Sequence, residues 1–82
     1  MLTLDQIPTE KYVKIKNVDG GTWVKQRLQN LGIHVGESIF VKRGTILGGP
    51  ILVRINNSDV AIGRGMARKI VVSEPENEPK HK

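Results

Sequence analysis

Apolar and polar residues alternate in runs no longer than eight, and glycine- or asparagine-containing breaks separate the runs. Residues 11–18 (KYVKIKNV) set Val13 and Ile15 against Lys14 and Lys16, the period of a half-buried strand. Asp19, Gly20 and Gly21 then break it. Residues 38–43 (SIFVKR) put Ile39 and Val41 on one face and Phe40 and Lys42 on the other. Residues 51–56 (ILVRIN) collect Ile51, Val53 and Ile55; residues 59–63 (DVAIG) add Val60 and Ile62; residues 69–72 (KIVV) close the series. Asn57 and Ser58 predict a short hairpin turn between the third and fourth strands. Five short strands at this spacing predict a mainly β fold, a small barrel. Curling the sheet closed hides its edges.

One stretch changes period. In residues 22–31 (TWVKQRLQNL), Val24, Leu28 and Leu31 recur at i, i+4 and i+7, one face of a helix between strands one and two. Trp23 lies beside that stripe. Asp19 or Thr22 is placed to cap the start. Gly32 followed by Ile33 suits a left-handed helix end with an apolar residue behind it. Ahead of the first strand, Leu2, Leu4 and Ile7 precede Pro8 and predict a short turn or extended segment that docks apolar side chains.

Composition narrows the function classes. The chain has 82 residues and no cysteine, so disulfides and thiolate metal cages are excluded. A core of this size without a staple supplies only about 3–5 kcal/mol, which demands a regular fold. Apolar runs such as Ile51-Leu52-Val53 and Ile70-Val71-Val72 fall far short of the roughly 18 residues of a membrane helix. The first residues lack a basic start and apolar block, so no secretory signal is expected. Residues 73–82 (SEPENEPKHK) read as a polar disordered tail behind a single domain spanning 1–72. Within 1–72, eleven basic residues stand against five acidic ones, a net charge of +6. Such a charge suits nucleic acid, an anionic membrane face or an acidic partner, and does not choose among them.

Sites of chemistry are few. His34 and His81 form no ligand pair, and the tail carboxylates Glu74, Glu76 and Glu78 with His81 suggest no more than weak association of a divalent metal such as Fe²⁺. No nucleophile lies in a recognisable setting, and Asp5, Glu10, Asp19, Glu37 and Asp59 are scattered, so no enzyme and no resident cofactor are expected. Residues 63–69 (GRGMARK) lack the third glycine of a dinucleotide fingerprint and the GK[ST] of a P-loop. Their structural reading is a sharp corner allowed by Gly63 and Gly65, with Met66 and Ala67 packed beneath. Tyr12 and Phe40 point away from their strands' apolar sides and can meet outside, but three rings in all make a sparse base-stacking platform.

Four stretches in order resemble the FeoA family, the small ferrous-iron transport protein A. They are residues 27–33 (RLQNLGI), 36–39 (GESI), 49–53 (GPILV) and 61–67 (AIGRGMA), and the likeness covers roughly residues 2–72. The same domain type resembles the C-terminal module of iron-dependent repressors. The resemblance implies an SH3-like β-barrel. Leu28 and Leu31 would anchor the helix, and Gly32 would end it. Gly36 would shape the next turn, Gly49 and Pro50 would lead into the third strand, and Gly63, Gly65 and Ala67 would make the last corner. The resemblance also implies a cytoplasmic accessory that binds and modulates FeoB, the membrane ferrous-iron permease with a GTP-binding domain. That partner would hold the chain at the inner face of the membrane. Candidate contacts are Ile46 and Leu47, apolar residues in a surface loop, with Arg43, Arg64 and Arg68 at the strand ends. Two alternatives stand beside this reading: a basic barrel that binds nucleic acid, and a direct iron sensor using His34 or the tail.

Overall fold

The structure, a computed structural model, describes residues 1–43 and 48–77. Among the described residues, six antiparallel strands make up the fold, where five were expected. They are β1 (Leu2–Thr3), β2 (Lys11–Val18), β3 (Ser38–Arg43), β4 (Ile51–Ile55), β5 (Ser58–Ile62) and β6 (Ile70–Val72). The additional strand is β1, where Leu2 pairs with Val72 and Thr3 with Val71. A 3-10 turn over Leu4–Gln6 then drops Leu4 and Ile7 into the core. The helices are α1 (Thr22–Asn30) and the single turn α2 (Arg64–Ala67).

The strand order is β1-β6-β2-β3-β4-β5. Strand β2 serves both halves of this bent sheet: its first residues pair with β3 and its last with β6. A register shift between Ile15 and Asn17 marks the change. Such a bulge adds one residue and sharpens the twist. It also explains an outcome that strict alternation misses, because Val18 rather than Asn17 turns inward.

Among the described residues, sixteen buried ones fill the interior, all apolar. Val13, Ile15, Ile39, Val41, Ile51, Val53, Ile55 and Ile62 are the inward positions that the alternation assigns. Val60 is half-buried against them. The β4–β5 hairpin turns one residue earlier than expected, on Asn56 and Asn57, with Ile55 opposite Ser58. Both asparagines have positive φ (50° and 70°), as a two-residue hairpin that follows the sheet twist requires.

Helix α1 closes one side of the core, and its end corrects the expected anchor. Leu28 is fully buried, whereas Leu31 is 39% exposed. The helix stops at Asn30, Leu31 becomes its C-cap, and Gly32 takes φ +88°. The Ile33 N–H then donates to the Leu28 carbonyl and the Gly32 N–H to that of Gln29, both at 2.9 Å. This is a Schellman end, and it carries Ile33 rather than Leu31 into the core. Neither Asp19 nor Thr22 caps the start: Gly21 is the N-cap and has no side chain to offer.

Two further expectations change. The corner before α2 does not use glycine-only backbone, since Gly63 sits at φ −62° and Gly65 has no positive φ. Ala67 is buried there as expected, and Met66 is half-buried. Residues 73–77, assigned to a disordered tail, instead lie along β2. The Ser73 N–H donates to the Lys14 carbonyl (2.9 Å), and Tyr12 and Glu76 exchange backbone bonds of 2.7 and 2.9 Å. Residues 78–82 lie outside the described residues.

Candidate functional interfaces

The arginines proposed as contacts gather at one end of the sheet. Arg43 ends β3 opposite Leu52, Leu52 pairs with Ala61, and β5 then runs through Gly63 into Arg64. Arg64 begins α2 and Arg68 is its C-cap, the Arg68 N–H donating to the Arg64 carbonyl at 3.0 Å. All three side chains are exposed, and among the described residues none has an ion-pair partner. The Arg64 guanidinium lies against Gly48: a Cβ at that position would sit 2.8 Å from Arg64 Nη1. Gly48 itself has φ +85°. The other two proposed contacts, Ile46 and Leu47, lie outside the described residues. Gly49 and Pro50 lead directly into β4 as expected.

A second surface was not assembled by sequence reasoning. The pleat that buries Val13 and Ile39 turns Tyr12, Lys14, Lys16, Ser38, Phe40, Lys42 and Arg54 outward. Tyr12 and Phe40 are directly opposite in register, with ring centroids 4.7 Å apart at 45°. A hollow of about 420 Å³ runs over Tyr12, Lys14, Lys16 and Ser38, and is walled by Ser73 and Glu76. Past Tyr12 and Ser38 it adjoins a second hollow of about 300 Å³ bounded by Phe40, Arg54, Asn56 and Asn57. The meeting of Tyr12 and Phe40 was legible from alternation. The docking of residues 73–77 was not, because Ser, Glu, Pro and Asn carry no apolar period.

Electrostatics on this face centre on Asp59. Its carboxylate accepts from Lys42 Nζ at 2.8 Å and from Arg54 Nε at 3.1 Å, which links β3, β4 and β5. Those two hydrogen bonds, the one from Lys42 foremost, hold the Asp59 carboxyl below its ordinary value. The same bond steadies Arg54 at the rim of the smaller hollow.

No His, Asp or Glu side chains gather in threes to hold a metal among the described residues. His34 is an exposed turn residue whose carbonyl accepts the Glu37 N–H. Trp23 is 69% exposed on α1, with the Arg27 guanidinium 5.8 Å from its ring centre. The described surfaces are therefore suited to recognition: cations at a sheet end, and a basic groove floored by two rings.

Comparison with known proteins agrees with this architecture. The FeoA domain model matches residues 2–74. A protein of Methanocaldococcus jannaschii that carries the name Fe(2+) transport protein A is 39% identical over 64 residues, covering 78% of this chain and 76% of its own length. The FeoA of Stenotrophomonas maltophilia, solved in complex with zinc and described as a prokaryotic SH3-domain protein, superposes with a TM-score of 0.78 at 25% identity. That match covers 89% of this chain and 91% of the other. The FeoA protein of Chlorobium tepidum gives 0.76 at 28% identity, over 87% of this chain and 68% of that one. The small barrel is thus SH3-like, and the chain belongs to the FeoA family of ferrous-iron transport proteins.

Proposed function

We propose that this chain is a non-enzymatic accessory of ferrous-iron uptake that binds and modulates the GTP-binding part of the FeoB permease at the cytoplasmic face of the membrane. Membership of the FeoA family carries the reading. The S. maltophilia relative, put forward as a ferrous-iron transport activating factor, is consistent with a modulating role. No described helix is long and apolar enough to cross a membrane, so the partner would supply the membrane attachment.

The basic end of the sheet supports the mode of binding. Arg43, Arg64 and Arg68 present cations with no acid among the described residues to neutralise them. Exposed charge of one sign raises the rate of encounter with an acidic partner surface and favours one orientation. Ile46 and Leu47 would add apolar contact there. Ferrous iron is the cargo of the permease in this reading.

The test uses the full chain, immobilised, and purified permease in detergent with GDP or a non-hydrolysable GTP analogue. Retention of the permease is expected. Arg43→Glu with Arg64→Glu and Arg68→Glu should abolish it and leave the thermal melt unchanged. Permease in the flow-through under both nucleotides overturns the reading. Retention that survives the triple substitution removes the sheet end from it.

A further inference from the structure

We propose that the outward face of β2, β3 and β4 is a second docking surface, a groove for an extended acidic peptide segment of a partner polypeptide. The chain's own residues 73–77 cover part of it. Three observations lead there, and none depends on which protein supplies the segment.

The first is the edge of β2. The N–H of Tyr12 and of Lys14 and both their carbonyls face residues 73–77: Tyr12 exchanges bonds with Glu76, Lys14 N–H donates to Ser73 Oγ (2.9 Å), and its carbonyl accepts the Ser73 N–H. Backbone pairing of this kind is indifferent to sequence, so another extended segment can take the same edge. The second is how lightly the present occupant is held. Glu74, Glu76 and Asn77 are exposed, Ser73 and Pro75 only half-buried. Its attachments are hydrogen bonds, including one from Lys11 Nζ to the Asn77 side chain, and such bonds exchange with water at little net cost.

The third is chemistry. The occupant carries Glu74 and Glu76; Lys14 and Lys16 line the larger hollow, Lys11 bonds Asn77 at the occupant's end, and Arg54, held by Asp59, bounds the smaller hollow. The half-buried Tyr12–Phe40 pair borders the smaller hollow, which none of residues 73–77 lines. A longer segment that reaches that hollow would gain an apolar contact there. A phosphate backbone fits less well, because it has no alternating N–H and carbonyl groups to pair with the β2 edge at Tyr12 and Lys14.

The experiment needs no permease, so its failure and that of the permease reading are separable. The probe is a fluorescein-labelled peptide reproducing residues 71–77, read by fluorescence polarisation. In the full chain, Ser73→Pro with Glu76→Pro removes the two N–H groups that hold the occupant to β2. An intramolecular competitor at an effective concentration on the order of millimolar can fill its site about nine-tenths of the time. The released variant should therefore bind the probe about tenfold more tightly than the parent. Adding Lys14→Glu and Lys16→Glu should return the affinity to the parent level or below. Equal binding by parent and released variant overturns the proposal. So does equal binding of a probe with both glutamates changed to lysine. Tighter binding of a ten-nucleotide oligothymidylate would assign the groove to nucleic acid. If the released variant fails to fold, amide NMR of the parent decides. Excess probe should shift Tyr12, Lys14 and Glu76, and shifts confined to other residues overturn the proposal.

Discussion

Replacing Gly32 by alanine tests the helix end that fixes where α1 stops. Gly32 has φ +88°, in the left-handed region. An added Cβ would meet only Ile55 Cγ2 at 3.8 Å, an ordinary contact, so crowding adds nothing. The whole cost is then conformational, roughly 1–2 kcal/mol for an L-residue held in that region. In a domain of this size each 1 kcal/mol moves the melting temperature by about 4–8 °C. Gly32→Ala should thus melt about 5–15 °C lower. Gly32→Asn should fall between, because asparagine tolerates the left-handed region better. Gly65→Ala is the matched control. That glycine lies inside α2 without positive φ, and an added Cβ meets nothing within 4 Å. Helix propensity predicts a gain of roughly 0.5–1 kcal/mol. Thermal and urea unfolding, followed by circular dichroism, measure all three. Gly32→Ala within about 0.5 kcal/mol of the parent, the ordinary range of neutral surface changes, would refute the backbone argument. So would a Gly65→Ala variant less stable than the parent.

Two other predictions follow from burial and charge. Leu28→Ala empties a fully buried position and should cost about 2–5 kcal/mol. Leu31→Ala, on the exposed C-cap, should stay within about 0.5 kcal/mol. Urea midpoints separate them, and equal losses would contradict the Schellman assignment. Asp59→Asn tests the ion triad. The folded state depresses this carboxyl below its ordinary 3.8, so its contribution is present above that pH and is lost as pH falls through the lower folded value. The parent should be the more stable at pH 6, and the difference should shrink at pH 3. A difference that is constant or grows in acid would overturn the assignment.

Most of the barrel was legible because its strands obey one rule at a time. Residues 11–16 and 38–43 alternate cleanly, and the strands run over 11–18 and 38–43 as expected. The departures occur where a second influence enters. The bulge at Ile15 and Asn17 shifts the register because β2 changes partners there, which only the whole topology reveals. Leu31 continues the helical stripe in sequence, yet Gly32 ends the helix and hands the inward position to Ile33. Periodicity and capping made opposite claims on Leu31, and capping prevailed.

The interfaces were legible to a lesser degree, for a different physical reason. A core position declares itself through hydrophobicity, whereas a surface position declares only charge, and charge fits many partners. Thus Lys14 and Lys16 read only as the outward side of a strand until the fold set two rings and an acidic segment beside them. The strap on β2 is the clearest instance. Its composition matches that of a free tail, because the contacts that hold it are mostly backbone groups, which every sequence possesses. An exposed strand edge demands a partner for its N–H and carbonyl groups whatever the side chains are. The edge at Tyr12 and Lys14 therefore recruits the nearest extended segment, and the lysines around it select an acidic one. That selection acts equally on a segment arriving from another protein.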